Sequence, residues 1–235
     1  MNPSLALIAA LAVAALPPAA RAEEAATGKV GTLTLAARLY AHALATDDAL
    51  AAVTAFRLAS GVALRQADGW SRTTETATGA ELPGAPAPAD TAQAGPDAAR
   101  GFSALALITG QAAESTREIA AGDDELALMV EDAVADTARG RIGGANQAVA
   151  TLAPGKKDIW EIPFAGQEQA EIGIFGDGSG GLGWMVADAQ GVPVCVDPYS
   201  DQPLYCSFTP AENAFYTVTV ISRANVDGQY LLATN

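Results

Sequence analysis

The sequence predicts an α+β fold with segregated halves, in which a small helical bundle precedes an antiparallel β-sandwich. Between about residues 33 and 138 the chain is rich in Ala and Leu, and its apolar side chains recur at helical spacing. From residue 147 onward the apolar side chains alternate with a period of two, and Gly, Pro, Asp and Asn separate the runs. Short alternating runs divided by turn residues are typical of an antiparallel sandwich.

Residues 1–22 are predicted to be a secretory signal peptide. Residues 5–16 form an apolar run of twelve residues, which is too short to span a membrane and suits the hydrophobic region of a signal. Two prolines end the run, and residues 20–22 (Ala-Arg-Ala) then offer a cleavage site before Glu23. Retention of the segment as an N-terminal anchor is the alternative. No later segment is apolar enough to span a membrane, so a periplasmic or secreted location is predicted.

The chain is strongly acidic, with 27 Asp and Glu against 13 Lys and Arg and a formal net charge of −14. Removal of residues 1–22 takes away Arg21 and no acid, which leaves 12 basic residues and a charge of −15. Such a charge repels nucleic acid and anionic lipid headgroups. Nucleic acid is therefore not a predicted partner, although acidity alone names no ligand. From the predicted location, the partner is expected to be a protein or a polysaccharide of the envelope or exterior, of unknown identity.

Residues 23–71 are predicted to form a helical hairpin, with helices over 34–45 and 48–65. Asp48 stands where the second helix begins, and its carboxylate is expected to accept a main-chain N–H of the first turn. A tight turn between two helices of this length favours an antiparallel pair.

Residues 72–100 are predicted to be a flexible linker or long loop, because Thr, Gly, Ala and Pro dominate and no hydrophobic period is present. Helical character returns over residues 101–144, which we expect to pack against residues 23–71. Asp123 follows a glycine there and is expected to cap the last helix.

The only histidine, His42, shares one face of the first predicted helix with Leu35 and Leu39. That stripe is predicted to be the packing face, so His42 is assigned to packing rather than to a Ser–His–Asp triad. The glycine-rich run at 176–181 matches a dinucleotide motif but precedes a strand, whereas such a site needs a helix. The acidic pairs at the predicted helix starts suit the helix dipole. No catalytic residue, metal or cofactor is therefore predicted.

Cys195 and Cys206 are the only cysteines, and both lie in the predicted sandwich. We predict a disulfide, because the expected compartment preserves disulfides and a cysteine pair without a CxxC motif makes a poor zinc site. A turn over 197–203 places the two cysteines opposite each other, so the bond is expected to staple adjacent strands of one hairpin. Closing a loop of about a dozen residues stabilises a fold by on the order of 3 kcal/mol.

Residues 145–235 contain four motifs in a fixed order: TLAPGKKDIWEIPF, GDGSGGLGWMVADAQG, FTPAENAFYTVTV and GQYLLATN. In this order they resemble the bacterial pre-peptidase C-terminal domain, whose patterns include LxxGxxDxYxF, FTPAxxxxYTVxV and GxYxLxTN. The resemblance implies a jelly-roll-like β-sandwich that serves as an accessory domain. It does not extend to the helical half of the chain.

One departure from this family concerns calcium. The family often carries an acid-rich segment, DxDLDLYxYD, near calcium sites, but Ser179, Gly181 and Gly183 stand where acids are expected. Asp177 and Asp188 remain as calcium candidates. A calcium ion takes six to eight oxygen ligands, several of them from carboxylates, so no metal site is predicted.

The aromatic residues offer a possible contact surface. Trp70, Trp160 and Trp184 would form a platform for a sugar ring if they were exposed. Strand alternation assigns Trp160 to the core, and the resemblance implies the same for Trp184, which stands where the family has an aliphatic strand residue. Tyr199 and Tyr205 flank the predicted disulfide hairpin and are the candidates for an exposed contact.

Together these features predict a non-enzymatic periplasmic or secreted protein with a disulfide-stapled sandwich that mediates binding or association. Because the warrant for binding is analogy with an accessory domain, two alternatives stay open. The first is an accessory or hydrolase-associated protein with an acid-based site in the helical half. The second is an envelope structural protein that associates with itself through its helices.

Overall fold

The computed structural model of the chain describes residues 28–78, 82, 102–137, 144–200 and 203–235. It confirms the α+β prediction, since helices occupy the N-terminal half and two five-stranded sheets occupy the rest. The predicted signal at 1–22, and the linker from residue 83 to residue 100, lie outside the described residues.

Five helices are described, and Asp residues cap two of them as predicted. Asp48 Oδ1 accepts the main-chain N–H of Ala51 at the start of α2, and Asp123 Oδ1 accepts that of Leu126 at the start of α5. The helices are α1 (Lys29–Thr46), α2 (Ala49–Ser60), α3 (Ala104–Ile108), α4 (Ala113–Ala120) and α5 (Asp124–Thr137).

Within the described residues, ten strands form two sheets that face each other. The first sheet has the order β1-β3-β10-β5-β8, and the second has the order β2-β4-β9-β6-β7. All pairs are antiparallel except β1 with β3, which is a departure from the wholly antiparallel prediction. The strands are β1 (Leu64–Gln66), β2 (Ser71–Thr76), β3 (Ala145–Leu152), β4 (Lys156–Phe164), β5 (Ala170–Gly176), β6 (Leu182–Ala187), β7 (Pro193–Ser200), β8 (Leu204–Phe208), β9 (Ala214–Ser222) and β10 (Gly228–Thr234).

The domain boundaries differ from the predicted ones at the end of the first helical segment. β1 lies where the second helix was expected to end, and β2 occupies the first residues of the expected linker. Both strands are largely exposed and form the edges of their sheets, where they pair with β3 and β4. Pairing with a distant strand decides their conformation, and a local sequence pattern does not reveal such a partner.

The first sheet is covered on both faces, so the molecule has three layers. On the outer face of this sheet, Phe175 and Leu231 pack in one apolar core with the helices. On its inner face, Ile174 and Leu232 pack in a second core with the other sheet. Helices α1 and α3 contact β5 and β10 directly, which explains why nearly all of β5 is buried. The helical half is therefore a layer on the sandwich and not a separate bundle.

The packing face of α1 is not the predicted stripe. Leu35 is 54% exposed and His42 is also exposed, whereas Val30, Leu33 and Tyr40 are buried. Ala occupies several faces of this helix, so the sequence marks no single apolar stripe, and the fit to the first sheet selects the buried face. None of the helices in the described residues has the length and apolar character of a membrane span.

The disulfide between Cys195 and Cys206 is confirmed, but its predicted place within one hairpin is wrong. Cys195 lies on β7 in the second sheet and Cys206 on β8 in the first, with a Cα–Cα distance of 6.1 Å. β7 pairs with β6, and β8 pairs with β5, so the turn between them crosses from one sheet to the other. The bond therefore ties together the two sheets at one open edge of the sandwich.

Removal of the disulfide is expected to lower the free energy of unfolding by about 3 kcal/mol, because the bond closes a loop between residues 11 apart. Urea unfolding of the double variant Cys195→Ala/Cys206→Ala checks this. Val194→Ala, an exposed change on the same strand, is the control and should shift stability by less than about 0.5 kcal/mol. Equal stability of the oxidised and the double-variant proteins would contradict the stapling role.

Candidate functional site

A half-open cleft of about 530 Å³ lies at the sandwich edge opposite the disulfide. The chain crosses there from β1 in the first sheet to β2 in the second, and Trp70 lies on this crossing. Ligand sites commonly have this volume and combine an apolar wall with a few polar groups. The wall contains Trp70 and Phe164, and the polar lining contains Arg65, Gln66, Asp68, Asn146, Glu168, Gln169 and Asn235.

Trp70 is half-buried, and its position is fixed by local structure. Gly69 has φ of +75°, which a side chain would disfavour, and this turn brings Trp70 back toward β4. The ring of Trp70 then meets Trp160 edge to face, with centroids 6.0 Å apart and an angle of 82° between the planes. Trp160 and Trp184 are buried in the sandwich core, as strand alternation predicted for Trp160 and the resemblance implied for Trp184.

A buried polar network holds Trp160 in place behind Trp70. The indole Nε1 of Trp160 donates to the Tyr230 hydroxyl at 2.8 Å, and that hydroxyl donates to Asp158 at 2.6 Å. Asp158 is 0% exposed and also accepts the Thr74 hydroxyl at 2.6 Å. Since the network links β4, β10 and β2, it joins the two sheets beneath the cleft wall.

Arg72 supplies the counter-charge for this buried carboxylate. Its Nη2 lies 2.8 Å from Asp158 Oδ2, and the guanidinium carbon lies 5.5 Å from the centroid of the Trp160 ring. The same Nη2 donates to the Thr151 carbonyl at 2.8 Å. Burial, and then the hydrogen bond to Asp158, raise the pKa of Tyr230 far above its usual range.

Hydrogen bonds also fix the polar lining of the cleft. Asn146 Oδ1 accepts Arg65 Nε at 2.7 Å, and Asn146 Nδ2 donates to the Asn235 carbonyl at 3.2 Å. Asn235 Nδ2 in turn donates to the Gln169 carbonyl at 2.6 Å, and its Oδ1 accepts the main-chain N–H of Glu171 at 2.9 Å. These contacts order the part of the lining that contains Arg65, Asn146 and Asn235.

Glu171 connects the sandwich to the helical layer. Its side chain accepts the main-chain N–H groups of Gly28 at 3.0 Å and Val30 at 3.1 Å, so it caps α1, which has no side-chain cap of its own. Glu171 is 1% exposed, and the Tyr205 hydroxyl donates to it at 2.7 Å. Gly28 allows this approach, because a Cβ there would collide with the carboxylate.

The two predicted contact tyrosines have different surroundings. Tyr199 is 44% exposed, and its ring lies over Gly181. Tyr205 packs against the helical core, and its hydroxyl donates a hydrogen bond to Glu171. It is therefore not the exposed contact that its sequence position predicted. Its strand, β8, belongs to the sheet that the helices cover, which the sequence did not indicate.

The calcium candidates serve as turn acceptors. Asp177 accepts the main-chain N–H groups of Ser179 and Gln229, and Asp188 accepts those of Gln190 and Val192. Across the described ranges, no three His, Cys, Asp or Glu side chains cluster as a metal would require.

Tyrosine ionisation is expected to remove stability between about pH 10 and pH 12. Burial, and then the hydrogen bond to Glu171, raise the pKa of Tyr205 to about 12, while an unfolded tyrosine ionises near pH 10. A raised pKa stabilises the fold below pH 10, and this contribution is lost as the pH rises toward 12. Ultraviolet titration of the five tyrosines, with Tyr205→Phe as control, checks the late ionisation of Tyr205 on which this loss of stability depends. Ionisation of all five near pH 10 with the fold intact would contradict it.

No known protein-family model matches the sequence, and no curated protein matches it either. Several solved structures are similar to part of the chain, including the following two. One is the pre-peptidase C-terminal domain of a collagenase from Bacillus anthracis, with 19% identity over 41% of this chain and 93% of that one and a TM-score of 0.34. The other is a de novo designed double-stranded β-helix, with 9% identity over 38% and 99% and a TM-score of 0.27. Similarity at these identities and TM-scores gives no information about function.

Proposed function

We propose that the protein is a non-enzymatic periplasmic or secreted binding module that takes its ligand in the cleft beside Trp70. The observation that carries this proposal is the fixed tryptophan wall, which is held by a buried network and lines a cleft with several polar side chains. A site that is ordered before binding loses little conformational entropy when the ligand enters. The inter-sheet disulfide supports an oxidising compartment.

The roles of the most buried carboxylates favour binding over catalysis. A general acid or base must reach its substrate, but Asp158 and Glu171 are enclosed and bonded to several partners each. In the helical half, Asp48 and Asp123 cap helices, which accounts for their positions without an acid-based site. These assignments favour the binding module over the hydrolase-associated alternative.

Equilibrium dialysis against oligosaccharide and peptide fractions of a cell envelope, followed by mass spectrometry, tests the proposal. We expect at least one class to be retained by the wild type with its mass unchanged, and to be lost with Trp70→Ala. Val194→Ala, on the opposite edge of the sandwich, is the control and should retain it. A ligand that is chemically altered over time, or retention that does not depend on Trp70, would refute the proposed function.

A further inference from the structure

We infer that the cleft ligand is an uncharged oligosaccharide. This inference rests on the proposed function and names its ligand class. It depends on three properties of the cleft, which are its aromatic wall, its mixture of donors and acceptors, and its charge.

The aromatic wall suits the apolar face of a sugar ring. Axial C–H groups give a pyranose ring a flat apolar face, and an indole offers the largest apolar side-chain surface with few rotatable bonds. Trp70 already rests on Trp160, whose Nε1 is bonded to Tyr230, so the wall is in place before a ligand arrives. The half-open shape allows part of a longer chain to lie across the cleft.

The polar lining offers donors and acceptors side by side. Within the described residues, the side chains of Gln66, Asp68 and Glu168 make no hydrogen bond, and Arg65 bonds through its Nε alone. Guanidinium and amide N–H groups donate, whereas carboxylate and amide oxygens accept. Each sugar hydroxyl can donate and accept at the same time, so a diol can bond to both kinds of group at once. A ligand with only one kind of group would leave half of this lining without a partner.

The charge of the cleft disfavours charged ligands. The positive charge of Arg65 offsets one of the two negative charges of Asp68 and Glu168, so the side chains of the lining carry one net negative charge. The formal net charge of the whole chain is −14. Anionic polysaccharides are therefore repelled. A cationic peptide would meet Arg65, and its ion pairs with the exposed acids Asp68 and Glu168 would each contribute only about 0–1 kcal/mol. An uncharged ligand avoids the repulsion of anions, and its binding does not depend on these weak ion pairs.

A glycan array that includes neutral and acidic oligosaccharides, together with lysine-containing and neutral peptides, tests the inference on the full chain. We expect neutral glycans to bind, with an affinity that added salt does not change, since no net ion pairing is involved. Trp70→Ala should weaken binding at least tenfold, which corresponds to about 1.4 kcal/mol. Trp70→Phe keeps an aromatic wall and should retain most of the affinity, which guards against misfolding of the alanine variant.

Val194→Ala lies on the opposite edge of the sandwich and should leave neutral-glycan binding unchanged. Trp70-dependent binding of peptides but of no glycan would overturn the inference and leave the proposed function standing. Acidic glycans that bind as tightly as neutral ones would also overturn it. Binding of no probe through Trp70 would overturn both.

Discussion

Replacement of Asp158 with alanine is expected to lower the free energy of unfolding by about 3–5 kcal/mol. The carboxylate is fully buried and accepts bonds from Tyr230, Thr74 and Arg72. Without it, the Tyr230 hydroxyl stays buried with no acceptor, and the half-buried Arg72 loses its counter-charge. The change also leaves a cavity between the sheets. Urea unfolding monitored by circular dichroism measures the loss.

The matched control for Asp158→Ala is Glu161→Ala on the same strand. The Glu161 side chain is exposed and, in the part of the chain that the structure describes, bonds to the exposed Ser71 alone, so its loss should cost less than about 0.5 kcal/mol. Ligand binding should also weaken in Asp158→Ala, because the buried network holds Trp160, on which the Trp70 wall rests. Similar stability of the two variants would show that the network does not hold the sheets together.

Replacement of Glu171 with alanine is expected to cost about 3–4 kcal/mol, because it leaves several buried donors without an acceptor. These donors are the main-chain N–H groups of Gly28 and Val30 and the Tyr205 hydroxyl. The negative charge also faces the positive end of the α1 dipole, an interaction that the variant loses. In Glu171→Ala, we expect the amide protons of α1 to exchange faster than they do in the wild type. The amide protons of β9, which lies in the other sheet, should accelerate less.

Two further variants separate the roles of charge and shape at Glu171. Glu171→Gln keeps the size but places an amide N–H group among N–H donors, so it should also be destabilising. Glu118→Ala, an exposed change in α4, should cost less than about 0.5 kcal/mol. Unchanged exchange rates in α1 after Glu171→Ala would mean that apolar packing alone attaches the helices.

Alternation along the strands predicted much of the sandwich, including one signal of the candidate site. Trp160 and Ile162 are buried as their period of two indicated. Asp158 lies two residues before Trp160 and therefore on the same face of the strand, so the pattern places an acid among apolar side chains of the core face. That is the sequence signal for the buried network, although its partners Tyr230 and Arg72 lie on distant strands that only the fold brings together.

Glu171 carried no comparable signal. It alternates with Ile172 and so occupies the outer face of its strand, which in an isolated sandwich would be solvated. Burial of that face follows from the helical layer, and an Ala-rich helix does not indicate in its sequence which sheet it will cover. The sheet assignment of the cysteines failed for a related reason, because a short turn predicts a hairpin unless better partners exist elsewhere.

The most direct test of ligand binding in the cleft beside Trp70 is ¹⁹F NMR of protein labelled with 5-fluorotryptophan. The three tryptophans give three resonances, and Trp70→Phe assigns the one from the cleft. Addition of a mixture of neutral oligosaccharides is expected to shift the Trp70 resonance while those of the buried Trp160 and Trp184 stay in place. A Trp70 resonance that does not move, or one that moves no more than that of Trp184, would contradict the cleft as the site of a neutral oligosaccharide.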